Sequence, residues 1–237
     1  MAGDRFTERA QSRKRRKRTW IISGVAIALV LGGVAWAAWS TSWLAVKQVD
    51  VVGLEHASEA EVLAAAQVPI GTPLLQVASA DIEERVSQLR IVRDVMVERE
   101  FPNTIRVAVT ERQAVAWLER GSTPWAVDST GLAYRPLRKK PNHLPRLEVK
   151  TSDAKTIRAA AQVAADLAVV DPNIFGRLKS ISAESQDSVE LLLDGGKTVV
   201  WGDSGNAEQK VQTLNALLDV PARRYDVSAP ERPTTEK

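Results

Sequence analysis

Few residues in this chain are of the types that catalysis or metal binding requires. The 237 residues include two histidines, His56 and His143, and no cysteine. The absence of cysteine excludes thiol nucleophiles, disulfides and zinc sites with cysteine ligands. Two histidines this far apart do not form a metal-binding motif, and no glycine-rich phosphate-binding loop is present. The sequence therefore predicts neither a metal site nor a cofactor.

One short motif could carry nucleophilic chemistry. Gly202-Asp203-Ser204-Gly205 repeats four residues of the nucleophile loop of trypsin-like serine proteases, and His56 lies upstream, as the general base does in that order. A nucleophilic serine also needs an oriented imidazole and an oxyanion hole, which a four-residue match does not supply. Asn206 also replaces the glycine that usually follows. We therefore interpret the motif as a polar turn before a helix capped by Asn206, and predict no catalytic residue.

The positive charge of the chain is concentrated at its N-terminal end. Residues 1–18 contain eight Lys or Arg and two acidic residues, whereas residues 19–237 contain 24 basic and 27 acidic residues. A basic run can bind the phosphates of nucleic acids. Here the run directly precedes an apolar segment, which favours a role in membrane topology and contact with anionic lipids. We therefore predict a basic cytoplasmic tail over residues 1–18, membrane lipids as a partner, and no binding of nucleic acid.

A long uncharged segment follows the basic tail. Residues 19–46 contain no charged side chain, and about 20 helical residues are enough to cross the ~30 Å hydrocarbon core of a bilayer. We predict a single transmembrane helix over residues 19–45, with Trp20, Trp39 and Trp43 at the membrane interfaces. The positive-inside rule predicts a single-pass type II protein of the cell membrane, with its N-terminus in the cytoplasm. A cleaved signal peptide is the alternative, but the apolar run exceeds the usual length of its hydrophobic region.

Residues 46–113 show the pattern of a small α+β domain. A strand that ends at Gly53 is followed by two helices, which Ser58 and Ser79 are placed to cap. Alternating apolar residues then predict two strands on either side of the turn Phe101-Pro102-Asn103. The predicted order is strand, helix, helix, strand, strand. A three-stranded sheet with both helices on one face would bury all of the apolar stripes together.

Residues 114–229 predict a mixed, β-rich domain with two helices. Short strands and turns recur through the first part of this region. Ser152 is placed to cap a helix that Asp171-Pro172 ends, and a second helix begins after Asn206. The last predicted strand comprises residues 224–228. The fold class predicted for the whole chain is therefore α+β, with one transmembrane helix and two domains.

Several short motifs of the first domain are shared with a known family. They are Val49-x-Val51-x-Gly53, Gly71-Thr72-Pro73-Leu74-Leu75, Val95-x-Val97 and Phe101-Pro102-Asn103-Thr104-Ile105-Arg106-Val107-x-Val109-x-Glu111-Arg112. With these residues the chain resembles the FtsQ/DivIB family of bacterial cell-division proteins. The resemblance implies a membrane anchor, a POTRA domain of the order β-α-α-β-β and a distal β domain, and it extends to about Ser228.

The resemblance also implies a function. In this family the distal β domain binds FtsB and FtsL, or DivIC and FtsL in some bacteria, through its last strands, and the POTRA domain aids recruitment. By this resemblance the chain is expected to be a non-enzymatic divisome scaffold that binds and recruits other single-pass division proteins at the septum. A POTRA-type protein of secretion or envelope assembly and a membrane-anchored hydrolase are the alternatives.

The last predicted strand offers a way to bind such partners. If it forms the sheet edge, its unpaired backbone groups can accept a strand from a partner by β-augmentation. The predicted partner-binding residues are Arg224, Tyr225, Asp226, Val227 and Ser228. Tyr225 is the candidate anchor, since aromatic residues dominate interface hot spots, and packing in the core is its alternative role. Beyond this strand, the proline-containing residues 230–237 are predicted to be a disordered tail.

Overall fold

The computed structural model describes residue 20 and residues 23–33, 42–149 and 153–237. The predicted basic tail and Trp39 lie outside the described residues. Residues 23–33 are helical (α1), and all of their side chains are exposed. Within the described ranges, no helix combines the length and the hydropathy that a membrane crossing requires. The transmembrane helix thus stays a prediction from the sequence.

The chain forms two compact units, and the first has the predicted order strand, helix, helix, strand, strand. The described residues of this unit lie within residues 20–89 and 94–110. Its elements are β1 (Gln48–Val52), α2 (Glu59–Ala66), α3 (Ser79–Ser87), β2 (Val92–Glu100) and β3 (Thr104–Glu111). The strands form a three-stranded sheet in the order β1-β3-β2 among the described residues. β1 runs parallel to β3, with Gln48 opposite Thr104.

Alternating apolar side chains build the core of the first unit. Ile105, Val107 and Val109 of β3 are buried, because successive residues of a strand face opposite sides. The helices contribute residues at helical spacing, which are Val62, Ala66, Ile82 and Val86. Gly53 ends β1 with a φ of 85°, and a Cβ at this position would collide with the carbonyl oxygen of Val109. Only glycine therefore fits this turn.

Of the two predicted helix caps in the first unit, one is right in position only and the other is wrong. Ser58 is the N-cap residue of α2, but its side chain makes no capping hydrogen bond, and its carbonyl oxygen accepts from the Glu61 N–H instead. Ser79 is the first helical residue of α3, and Ala78 is the N-cap. The two helices are joined by Arg85, whose guanidinium donates to the carbonyl oxygen of Ala66 at 2.7 Å.

The second unit comprises residues 90–93 and 111–237 and contains one large sheet. Its elements are β4 (Ala116–Arg120), β5 (Thr123–Val127), β6 (Ala133–Pro136), β7 (Arg146–Val149), α4 (Ala154–Val170), α5 (Pro172–Arg177), β8 (Leu178–Ala183), β9 (Val189–Leu193), β10 (Thr198–Gly202), α6 (Ala207–Leu218), β11 (Arg224–Asp226) and β12 (Thr234–Glu236). Within the described part of the chain, nine strands pair in the order β12-β11-β10-β9-β8-β7-β4-β5-β6.

The core of the second unit lies between this sheet and its helices. The register of five neighbouring strands aligns a row of buried residues, which are Leu147, Ile181, Leu191, Val199 and Tyr225. Ala160, Ala164 and Leu167 of α4 and Leu214 of α6 belong to the same core. The small side chains of α4 permit a close approach of the helix to the sheet. The row on the opposite face of the same strands is more polar and consists of Glu148, Ser182, Glu190, Val200 and Asp226.

The helices of the second unit differ from the prediction in number and in their caps. The structure contains three helices in the described part of this unit, not two, because Asp171-Pro172 ends α4 and also starts α5. Asp171 accepts hydrogen bonds from the N–H groups of Asn173 and Ile174. Asp153 caps α4 in place of Ser152, which lies outside the described residues. Asn206 precedes α6 with a φ of 54°, and its side chain makes no capping hydrogen bond.

Candidate partner-binding edge

The strand predicted as the sheet edge is an inner strand in the structure. β11 pairs with β10 in parallel and with β12 antiparallel, so other strands flank it on both sides. On the outer side, Arg224 lies opposite Glu236 and Asp226 lies opposite Thr234. The prediction that residues 224–228 form an exposed edge is therefore wrong. Among the described strands, this edge of the sheet belongs to β12.

Tyr225 occupies the core rather than the surface. Its side chain is fully buried, and its hydroxyl lies 2.9 Å from the carbonyl oxygen of Val220 and 3.0 Å from that of Ala222. The hydroxyl also accepts a hydrogen bond from the Ala222 N–H at 3.3 Å. These hydrogen bonds hold the loop before β11 against the sheet. The prediction of Tyr225 as an exposed anchor is thus corrected to the alternative role, core packing.

The other four predicted binding residues divide between the core and the surface. Val227 is buried, whereas Arg224, Asp226 and Ser228 are at least partly accessible. Arg224 forms an ion pair with Glu190 of β9, with a nitrogen–oxygen distance of 2.7 Å. Asp226 Oδ1 accepts hydrogen bonds from the N–H and the hydroxyl of Ser228, at 2.9 and 2.7 Å. These side chains already have partners within the chain. The backbone of the edge strand β12 is therefore the better candidate for binding another protein.

β12 has one side on which no described strand pairs. Its three residues, Thr234–Glu236, are all exposed. The carbonyl oxygen of Glu236 accepts a hydrogen bond from the Arg223 N–H at 3.0 Å and therefore faces β11. Because the backbone groups of successive strand residues point to opposite sides, the N–H and C=O of Thr235 face outward. A strand from another protein could pair with them.

The sequence carries only a weak signal for β12. Three residues are too few for a period-two pattern, and Pro230 and Pro233 are typical of irregular segments. The turn that returns the chain to β11 includes a hydrogen bond from the Arg232 N–H to the carbonyl oxygen of Ala229 at 2.8 Å. The prediction of a disordered tail at residues 230–237 is wrong, because pairing with β11 orders a segment that has little intrinsic preference.

The Gly202-Asp203-Ser204-Gly205 motif has a structural role in the second unit. Asp203 Oδ1 accepts hydrogen bonds from Lys210 Nζ at 2.8 Å and from the Gly205 N–H at 2.9 Å. Lys210 Nζ also donates to the carbonyl oxygen of Asp203 at 2.9 Å, and the Lys210 side chain is only 2% exposed. The hydrogen bond from Lys210, followed by that from Gly205, lowers the pKa of Asp203. The motif is thus a polar turn before α6, held by a buried lysine that the sequence did not single out.

The tryptophans predicted at the membrane interfaces are exposed where the structure describes them. Trp20 is 74% exposed and Trp43 is 73% exposed. Trp39 lies outside the described residues. Tryptophan is enriched at membrane–water interfaces, where its amphipathic ring lies at the level of the headgroups. Their role at a membrane stays a prediction.

Two family models match this chain in succession. The POTRA domain of the FtsQ type matches residues 44–112. The C-terminal domain of the cell division protein FtsQ/DivIB matches residues 115–228. The second match ends just before β12, so the strand that forms the sheet edge lies outside it.

Relatives and a solved structure carry the same family names. The cell division protein FtsQ of Streptomyces bingchenggensis is 36% identical in an alignment 234 residues long, which covers 95% of this chain and 88% of that protein. The cell division protein FtsQ of Mycobacteroides abscessus is 34% identical over 214 residues, 90% of this chain and 68% of that protein. The solved extracytoplasmic domain of DivIB from Geobacillus stearothermophilus is 18% identical, with a TM-score of 0.34. The superposition covers 52% of this chain and 98% of the chain in that structure. From the family models and the near full-length relatives, the chain belongs to the FtsQ/DivIB family of cell-division proteins.

Proposed function

We propose that this chain is a non-enzymatic scaffold of the bacterial division machinery. It binds single-pass division proteins of the FtsB/DivIC and FtsL type and recruits them, with other divisome membrane proteins, to the septum. Membership of a cell-division family supports the cellular role. The observation that carries the binding role is the free outer side of β12 at one end of the nine-stranded sheet among the described residues.

The scaffold is anchored in the cell membrane as a single-pass type II protein. The uncharged residues 19–46 and the basic residues 1–18 support this topology, since an apolar span with cationic flanks orients its basic side toward the cytoplasm. The exposed apolar side chains of α1 support the same proposal, because a helix without a polar face is stable where lipid or other helices surround it. The anchor holds the two units at the membrane in which the partners are also embedded.

Partner binding takes place by strand addition to β12. The N–H and C=O of Thr235 supply the central backbone hydrogen bonds, and neighbouring side chains select the partner. An incoming strand extends the sheet by one position and removes its open edge from solvent. The short length of β12 limits the number of backbone hydrogen bonds, so the partner must also make contacts beyond the strand.

A proline at position 235 tests this binding mode. Thr235→Pro removes the outward N–H and adds a ring on the outer side, whereas the hydrogen bonds toward β11 involve the neighbouring residues. We expect this variant to fold and to lose co-purification of FtsB- and FtsL-like proteins from the native host. Thr235→Ala is the matched control and should keep it. Equal recovery with both variants would reject β12 as the docking strand.

Truncation and depletion test the two remaining parts of the proposal. If a partner strand replaces β12 instead of adding to it, deletion of residues 234–237 will keep or increase partner recovery, and strand addition will be refuted. Depletion of the whole protein should give filamentous cells without septa. Normal division after complete loss, with no FtsB- or FtsL-like protein recovered from the wild type, would reject the scaffold function itself.

A further inference from the structure

Three segments of the first unit meet at the end where the chain enters it. The Val46 N–H donates to the carbonyl oxygen of Thr72, and the Gly71 N–H donates to that of Val46, both at 2.9 Å. The Lys47 N–H donates to the carbonyl oxygen of Asn103, also at 2.9 Å. The chain entry, the loop before Thr72 and the β2–β3 turn therefore lie side by side. β1 and β3 both begin at this end of the sheet.

Each of these segments exposes one large apolar side chain. Trp43 is 73% exposed at the chain entry, Ile70 is 62% exposed in the loop, and Phe101 is 63% exposed in the turn. Between residues 42 and 110, no other described large apolar residue is more than 60% exposed. Loop tips are usually polar, and grouped exposed apolar side chains indicate an interaction surface.

The three segments carry little charge, as contact with the apolar boundary of a bilayer requires, and Glu100, next to Phe101, is paired with Arg106 at 2.8 Å. The three segments, residues 42–47, 68–73 and 101–103, contain no acidic residue and one basic residue, Lys47, which is exposed. The apolar, uncharged residues 19–46 lead directly into the first segment. The backbone hydrogen bonds between the segments also satisfy amide groups that contact with lipid would otherwise leave without partners.

We infer that this end of the first unit contacts the lipid bilayer, with Ile70 and Phe101 inserted beside Trp43 at the level of the headgroups. This inference rests on the proposed membrane anchor and adds a second point of contact to it. A helix alone leaves the attached unit free to tilt and rotate, whereas two inserted loop tips fix which end of the sheet faces the membrane. Aromatic and aliphatic tips with a nearby lysine match the apolar boundary and the anionic phosphates of that layer.

The absence of cysteine from the chain permits a direct test with single spin labels. Ile70→Cys and Phe101→Cys are labelled in the full chain and reconstituted into phosphatidylcholine–phosphatidylglycerol vesicles at a high lipid-to-protein ratio. Met96→Cys is the control, since Met96 is an exposed apolar residue in the middle of β2 (58%). We expect the ratio of collisions with oxygen to those with an aqueous nickel chelate to be severalfold higher at positions 70 and 101 than at position 96.

The outcomes separate this inference from the proposed anchor. A chain that does not float with the vesicles refutes the anchor, whatever the labels report. A chain that floats but gives the same collision ratio at all three positions overturns the contact of Ile70 and Phe101 with lipid. Dipolar broadening that persists on dilution with lipid would identify a second copy of the chain as the occupant, and would also overturn it. Matching circular dichroism spectra of the labelled and unlabelled proteins verify folding, which substitution of such exposed side chains should not disturb.

Discussion

The ion pair between buried Lys210 and exposed Asp203 predicts unequal effects for substitution of its two members. The Lys210 side chain is 2% exposed, whereas that of Asp203 is 61% exposed. Asp203→Ala leaves the lysine cation buried, with the carbonyl oxygen of residue 203 as its hydrogen-bond acceptor and the ring of Trp201 5.6 Å away. Lys210→Met keeps most of the apolar stem and removes the buried charge, while the Asp203 carboxylate stays hydrated. Asp203→Ala should therefore lower the free energy of unfolding more than Lys210→Met.

The expected magnitudes follow from this difference in exposure. Removal of one partner of a fully buried ion pair costs about 3–5 kcal/mol, and a hydrogen bond to a charged group contributes about 1.5–3 kcal/mol. Because solvent screens the exposed carboxylate, we expect Asp203→Ala to lower the free energy of unfolding by about 2–3 kcal/mol. Lys210→Met should lower it by about 1 kcal/mol or less, since the desolvation cost of the cation disappears with it.

Urea unfolding of a fragment of residues 42–237 measures these free energies. Trp201 lies next to Lys210, so tryptophan emission reports on the second unit. The double variant Asp203→Ala/Lys210→Met should resemble Lys210→Met alone, because the carboxylate has no buried cation left to compensate. A larger loss for Lys210→Met than for Asp203→Ala would refute the reasoning. It would indicate that the packing of the lysine stem, and not the compensation of its charge, stabilises the turn.

Two further predictions concern Tyr225 and Asp171. Tyr225→Phe should lower the free energy of unfolding by about 1 kcal/mol, because the hydroxyl contacts are lost. It should not change partner recovery. Loss of partner binding by a stably folded variant would contradict the role of Tyr225 in the core. The side-chain hydrogen bond from Asn215, followed by that from the Ile174 N–H, lowers the pKa of Asp171. The stability that this carboxylate contributes is therefore present above the ordinary value of 3.8 and is lost as the pH falls through the lower folded pKa. At neutral pH the wild type should exceed Asp171→Ala in unfolding free energy by about 1 kcal/mol. This difference should shrink on acidification below pH 3.8, and a constant difference would contradict the lowered pKa of Asp171.

The local patterns of the sequence determined most of the elements and the family. Alternation at Ile105, Val107 and Val109 predicted β3, and Asp171-Pro172 predicted the end of α4. These signals are readable because they depend on neighbours within a few positions, through side-chain alternation and the geometry of proline. The uncharged segment and the basic tail likewise follow from composition alone, and so does the expectation of a membrane anchor.

The candidate binding edge depended on contacts between distant positions, which only the tertiary structure decided. Arg224–Asp226 is a plausible edge strand in isolation, and it becomes an inner strand because Thr234–Glu236 returns to pair with it. The same pairing orders a segment whose prolines predict disorder. Whether Tyr225 faces the core or the solvent depends on its register against Val199, which no local pattern specifies.

The roles of individual polar residues were also decided by tertiary structure. Ser58 and Asn206 occupy the predicted cap positions without a capping side-chain hydrogen bond. Asn206 has a left-handed backbone, φ 54°, instead of the extended conformation usual for an N-cap. A lysine on an amphipathic helix is expected in solvent, yet Lys210 is buried because Asp203 compensates its charge. The sequence by itself determined most of the helices and strands, because short-range geometry governs them, and it predicts the anchor from composition. The tertiary structure determined which strand edge and which side chains remain free, because burial and strand pairing are properties of the whole sheet.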